Sequence, residues 1–226
     1  TPSAIISFQP GIELRSDLTT GERIEGKPVI DDYSVFLSSE IKPVAGINIR
    51  PGLRFSKNSV YDAPPVVPSV NTKFTLSNSL DLRLSYARGF RAPSLRELYF
   101  YFFDASHSIQ GNPGLEAEYS NSFIASAAWQ PELKAIGLST TVAGFYNDFR
   151  NRIGMALGAN NIYTYINIDR FKTTGITINN SISWKNLTAI LGFSYIGRYN
   201  VYYDDPDYKQ QDQSQFTWSP ELNSNI

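Results

Sequence analysis

Apolar and polar side chains alternate with period two along most of the chain. Ala4, Ile6, Phe8, Pro10, Ile12 and Leu14 share one parity, while Ser7, Gln9, Glu13 and Arg15 hold the other. That spacing predicts a strand with one apolar face, because successive side chains of an extended chain point to opposite sides. Tyr33, Val35, Leu37 and Ile41 repeat the pattern, followed by Ile47, Ile49, Leu53 and Phe55, a shorter strand over Ser69–Leu76, and Leu80, Leu82, Leu84 and Tyr86. From Ile162 to Trp184 the residues Ile162, Ile166, Ile168, Ile176, Ile178, Ile182 and Trp184 stay in phase, so Gly175 need not end the strand. Leu187, Ala189, Leu191, Phe193, Tyr195, Tyr199, Val201 and Tyr203 stay in phase along a second long strand, and a last one is expected over Phe216–Ile226. Strands of globular proteins run about 3–10 residues. The longest ones here exceed what a sandwich core covers.

The connections alternate in length. Tight turns are expected near Lys42–Ala45, Ser77–Leu80, Gln130–Lys134 and Lys185–Leu187, with longer loops over Asp17–Ile30, Tyr61–Pro68, Arg91–Leu115, Gly154–Asn161 and Asp204–Gln213. The fold class is therefore all-β: one antiparallel meander of about ten strands, with its short turns on one rim. Trp129 and Trp184 precede two of the tight turns, while Tyr33, Tyr86, Tyr163, Tyr165, Tyr199 and Tyr203 fall toward the loop ends. Aromatic residues so divided fit the two girdles of a transmembrane β-barrel.

Composition sharpens this picture. Of 226 residues 14% are aromatic, and the mean hydropathy of −0.26 is too polar for a bundle of membrane helices. No run of about 18 apolar residues occurs, which a β-barrel does not need. The 20 Lys plus Arg balance 21 Asp plus Glu, so charge nominates no nucleic-acid partner. The absence of Cys removes disulfides, thiolate metal sites and cysteine nucleophiles. Thr1 follows no Met, charged start or apolar signal core, so an internal start is expected.

One stretch carries chemistry that periodicity does not explain. Arg88-Gly89-Phe90-Arg91-Ala92-Pro93-Ser94-Leu95-Arg96-Glu97-Leu98-Tyr99 leaves a strand and enters a helical turn, with Ser94 and Glu97 at capping-box spacing. Asn112-Pro113-Gly114-Leu115 predicts a type II turn, in which Gly supplies a positive φ. Gly89 to Tyr99, followed by Gly111, Asn112, Pro113 and on to Glu118, resembles the paired G-F-R-A-P-x-L-x-E-L and G-N-P-x-L-x-x-E signature of TonB-dependent outer-membrane receptors. Gly89, Phe90, Arg91, Ala92, Pro93, Glu97, Leu98, Gly111, Asn112, Pro113 and Glu118 carry it. Pro10-Gly11-Ile12-Glu13-Leu14-Arg15, Pro51-Gly52-Leu53-Arg54-Phe55 and Tyr165-Ile166-Asn167 leading to Gly175 are similar to further strands of the family. Thr177 stands where many members have Glu.

The resemblance covers essentially the whole chain. It implies that residues 1–226 are a partial segment of a 22-strand barrel whose plug domain and remaining strands are absent here. It further implies a Gram-negative outer-membrane location, outer-membrane lipid around the wall, coupling to TonB through the missing N-terminal region, and a small nutrient ligand such as a metal chelate or cobalamin. No enzyme activity, cofactor or nucleic-acid partner is expected: one His and no G-x-S-x-G elbow offer no triad. A soluble or surface β protein that binds glycans through exposed aromatics is the rival reading, and a complete ten-strand barrel a third. A second sheet packed over the apolar face of Leu187–Tyr203 would favour the glycan binder.

Candidate ligand contacts lie in the longest loop: Arg91, Tyr99, Tyr101, Phe103 and His107. The run Tyr99-Phe100-Tyr101-Phe102-Phe103 could stack on a ligand or a sugar face, or simply pack the loop. His107 reads as a surface residue rather than a metal ligand. Asp204, Asp205 and Asp207 could hold Ca²⁺ or form a solvated turn. Arg15, Arg50, Arg54, Arg83 and Lys42 sit on the polar parity, where they could line a passage, grip plug carboxylates or be solvated.

Overall fold

The computed structural model describes residues 5–104, 106, 108–158, 161–201 and 213–225. The elements run β1 (Ile5–Leu18), β2 (Val29–Lys42), β3 (Ile47–Asn58), β4 (Val67–Ser77), β5 (Leu80–Arg91), α1 (Leu95–Tyr99), β6 (Tyr101–Phe103), β7 (Ser108–Gln110), β8 (Glu118–Trp129), β9 (Gly137–Leu157), β10 (Tyr163–Trp184), β11 (Leu187–Val201) and β12 (Gln213–Asn225). Ten of the strands form a meander in the order β1-β2-β3-β4-β5-β8-β9-β10-β11-β12, each antiparallel to its neighbour. The other two, β6 and β7, make a small hairpin inside the long loop. β7 then joins the start of β10 in parallel. Among the described residues β1 and β12 do not pair, so the sheet is open and not a closed ten-strand barrel.

Register brings the apolar parities of neighbouring strands into line. Ile12 faces Val35, which faces Phe55. Phe74 faces Leu82, which faces Ala127 and then Val142, Ile178, Phe193 and Leu222. A one-residue slip anywhere would throw a whole strand onto the wrong face, yet the row is continuous. Among the described residues no second sheet covers it: Leu187, Leu191, Phe193 and Tyr195 remain 54%, 52%, 41% and 41% exposed. That outcome goes against the sandwich needed by a soluble glycan binder. Two polar residues on this face pair with each other, Thr140 Oγ1 donating to Asn180 Oδ1 at 2.9 Å.

The long strands hold because their glycines accept close neighbours. A Cβ on Gly175 would meet the Tyr195 carbonyl oxygen at 2.6 Å and the Phe145 ring at 3.0 Å, so the residue marks a close approach rather than a strand end. Three expectations change. β9 runs on to Leu157, so the loop expected from Gly154 is shorter. Ile166 and Ile168, in phase with the exposed band, are buried, and a Cβ on Gly154 would meet Ile168 Cδ1 at 3.1 Å. Tyr165 packs against the loop core described below instead of joining a girdle. Tyr203 and the Asp204, Asp205 and Asp207 cluster lie outside the described residues.

Candidate functional site

Arg91 and Glu118 are the last cross-strand pair of β5 and β8, and Arg91 Nε donates to Glu118 Oε2 at 2.7 Å. The whole excursion of residues 92–117 therefore leaves and re-enters the sheet through one ion pair. Both side chains share the polar parity of their strands, so the excursion lies on the polar face. Arg91 also forks onto Glu97, with Nη1 to Oε2 at 2.9 Å and Nη2 to Oε1 at 3.2 Å. Glu118 Oε1 in turn accepts the Ile153 N–H at 2.5 Å, which ties the junction to β9.

Glu97 is held from every side. The capping box forms as expected: the Glu97 N–H donates to Ser94 Oγ at 3.3 Å, and the Ser94 N–H donates to Glu97 Oε2 at 2.7 Å. Burial by itself would raise the pKa of this carboxyl. The Arg91 guanidinium, the Ser94 N–H and the Ser94 hydroxyl together outweigh it and hold the pKa below the ordinary carboxylate value.

Beneath α1 lies the small hydrophobic core of the chain: Ile30 from β2, Leu95 and Leu98 from the helix, Leu115 and Ile153. Tyr61, Tyr99 and Tyr165 pack around it. The Tyr61 hydroxyl is pushed up by burial, with Tyr99 and Glu97 adding to the effect. Pro93 is fully buried. Gly111 sits so close to α1 that a Cβ would meet the Leu98 carbonyl carbon and oxygen at 2.7 Å. Its own N–H donates to Phe100 O at 2.6 Å, and the Asn112 N–H donates to Glu97 O at 2.8 Å.

Asn112 does the rest of the joining, since its Nδ2 donates to Tyr165 O at 2.9 Å and its Oδ1 accepts the Gly114 N–H at 2.9 Å. The turn closes from the Leu115 N–H to Asn112 O at 3.3 Å, but Gly114 has no positive φ, so it is not the expected type II. The Asn112 side chain holds the Gly114 N–H in a geometry that needs no left-handed residue. A second asparagine anchors the return path: Asn167 Oδ1 accepts the Glu116 N–H at 2.8 Å, and its Nδ2 donates to Glu116 O and Asn151 O at 3.0 and 2.8 Å.

The signature residues are thus brought together, and they fasten the loop. Of the candidate ligand contacts, Arg91 is engaged by two carboxylates and Tyr99 by the core. Tyr101 and Phe103 stay exposed, 41% and 52%. His107 lies outside the described residues. Sequence reasoning missed the β1–β2 loop, which pairs with the aromatic run. Ile24 bridges Phe100, the Tyr101 N–H donates to Arg23 O at 3.0 Å, and the Tyr101 hydroxyl donates to Glu22 O at 2.5 Å. Arg23 lies over the Phe102 ring at 3.8 Å and Arg96 over Phe100 at 5.0 Å. No local spacing signals contacts between loops this far apart in sequence.

The lumen-type cations also find partners on their own wall. Arg50 and Lys42 both reach Glu40, at 2.6 and 2.9 Å, Arg54 reaches Glu13 at 3.0 Å, and Arg15 reaches Asp17 at 2.8 Å. Only Arg83 of the five has no ion pair among the described residues. Carboxylates of another domain are not needed to neutralise the other four.

A family model described as TonB dependent receptor-like, beta-barrel matches residues 12–226. The chain belongs to this family. Ferrienterobactin receptor of Escherichia coli (strain K12) is 26% identical over 200 residues, covering 74% of this chain and 26% of that protein. Hemoglobin-haptoglobin-binding protein A of Haemophilus influenzae is 33% identical over 181 residues, covering 73% of this chain and 16% of that protein. The chain spans about a quarter or less of the length of these curated relatives.

Among solved structures, the siderophore receptor PirA from Pseudomonas aeruginosa matches with TM-score 0.67 at 16% identity, over 98% of this chain and 52% of that one. The Serratia marcescens hemophore receptor HasR, in complex with its hemophore HasA and heme, matches with TM-score 0.72 at 15% identity, over 87% and 39%. Both likenesses concern the fold: this is part of a TonB-dependent receptor barrel, with the exposed apolar band on one face of its sheet and the fastened loop on the other. The family consists of transport receptors rather than enzymes.

Proposed function

We propose that the chain forms wall and external rim of an outer-membrane receptor that takes up a scarce nutrient, energised through TonB. The observation that carries this reading is the apolar band that crosses ten strands with their apolar parities aligned, with the fastened loop turned to the opposite face. Such a band suits lipid, and such a loop narrows a lumen. The larger receptor would supply the plug and the strands that close the barrel. Within the wider class of metal chelates, heme and cobalamin, the rim favours an anionic aromatic iron chelate of the siderophore type. Arg23 and Arg96, each over a Phe ring, stand with exposed Tyr101 and Phe103, a set able to hold negative charge and stack on planar groups.

The test is uptake under iron limitation by cells carrying the full-length receptor, with ferric catecholate, heme and cobalamin supplied separately. Ferric catecholate uptake should vanish on loss of the receptor and on loss of TonB, and fall about tenfold or more in Arg23→Ala with Arg96→Ala. Unchanged uptake of all three on loss of the receptor would refute the transport reading. Loss confined to heme or cobalamin would overturn the ligand class alone.

A further inference from the structure

The outer face of β5, β8, β9 and β10 changes character within one step of the ladder. Tyr86, Phe123 and Tyr146 form one row, with the first two rings 4.8 Å apart, and close the aromatic band. The next outward row reads Arg88, Asn121, Asp148 and Lys172, and the one after it Phe90, Tyr119, Arg150 and Arg170. From Trp184 at the tight-turn rim up to Lys172, β10 climbs about 30 Å, taking about 3.3 Å per residue and a tilt of about 40°. The cations therefore stand where the hydrocarbon ends and lipid headgroups begin.

Arg150 and Arg170 are both exposed and directly opposite in the β9–β10 register. Like charges so placed destabilise a sheet unless a counter-charge lies between them. Among the described residues no carboxylate lies within ion-pair distance of Arg88, Arg150, Arg170 or Lys172. Asp148 is the only acidic residue in the two rows. A sheet that keeps four cations on its lipid-facing side, two of them face to face, is built for an external anion.

We propose that Arg88, Arg150, Arg170 and Lys172 bind the phosphate groups of membrane lipids in the external leaflet. The proposal rests on the outer-membrane reading above. A phosphate monoester offers several acceptor oxygens to guanidinium forks from adjacent strands. The neighbouring Tyr86, Phe123 and Tyr146 give the lipid's chains an apolar shelf immediately below. Lys172, with Nζ 5.9 Å from the Tyr199 ring centroid, extends the site along β10 toward β11.

The experiment uses the full-length receptor, purified from membranes in a neutral detergent, with diphosphoryl lipid A as the probe and retained lipid read by native mass spectrometry. The wild-type receptor should retain the lipid, and Arg150→Gln with Arg170→Gln should lose it about tenfold or more. Arg150→Lys with Arg170→Lys should keep most of it. Arg88→Gln with Lys172→Gln, on the adjoining row, repeats the test should the first pair fail to assemble. Equal retention by wild type and both glutamine variants would overturn the site, as would equal retention of dephosphorylated lipid A. Displacement of the lipid by inorganic phosphate as effectively as by more lipid A would make it a free-phosphate site and overturn it too. Each receptor is also fractionated: correct outer-membrane recovery with unchanged retention sinks the lipid site alone, whereas wild-type recovery elsewhere sinks the membrane reading and the site with it.

Discussion

Glu97 concentrates the control of the loop in one carboxylate. It closes a helix cap, receives the fork of Arg91 and packs beside the loop core. Its pKa is lowered in the folded state, so its contribution is complete above the unfolded value of about 4.5 and is lost as pH falls through the lower folded value. The hydrogen-exchange protection of the described residues of 95–118 in the full receptor, taken relative to the intrinsic rate at each pH, should therefore fall below about pH 4.5, and Glu97→Gln should lower it at neutral pH and flatten the dependence. The same pH profile in both proteins would remove Glu97 from this role. Leu98→Ala empties a site that is 2% exposed and should destabilise the loop by about 2–5 kcal/mol, read by the same exchange. Gly111→Ala should open it as well, because its Cβ has no room against the Leu98 carbonyl. Neither substitution should alter membrane insertion, since neither touches the apolar band.

The strands make a different kind of prediction, because parity decides it. Phe193 lies on the exposed apolar face of β11, opposite Ile178 and Leu222, while Ser194 lies on the other face opposite Thr177 and Glu221. Phe193→Arg should cost about 2–4 kcal/mol in bilayer-reconstituted unfolding titrations, the adjoining Ser194→Arg close to nothing. Equal costs would mean that this face does not meet lipid. The strand pattern was legible in the sequence because period two is a local property of the chain. Boundaries shifted mainly where a strand gained partners at the rim, as in β9, which continues to Leu157 because β10 pairs with it that far. The β6–β7 hairpin was not legible: its three-residue strands are set by pairing with each other and with β10, too short to show a period.

Across the whole molecule, stability comes from a two-dimensional ladder rather than a central core. Among the described residues only the cluster around Leu98 resembles a globular interior, and it sits at one rim. Among the described residues β1 and β12 each have a strand on one side only, and such an edge presents unpaired backbone donors and acceptors. The 226-residue chain refolded alone in detergent should form higher oligomers through these edges, seen by size-exclusion with light scattering. A full-length receptor carrying the same strands should stay monomeric. A stable monomer of the isolated chain would show that the edges find each other.

The sequence by itself determined the strands, their two faces, the alternation of short turns and long loops, and the family. Each of these depends on spacing between near neighbours or on a contiguous motif. The same motif was read as a family mark beside candidate ligand contacts, but only the tertiary structure decided what its residues do. Arg91 closes on Glu118, Asn112 reaches the Tyr165 carbonyl, and Gly111 lies against α1, all through contacts set by the path of the loop across the sheet. Register likewise put Arg150 opposite Arg170 and lined the apolar parities into one band. Pairing between strands is a long-range choice, fixed by hydrogen bonds that no single stretch of sequence contains.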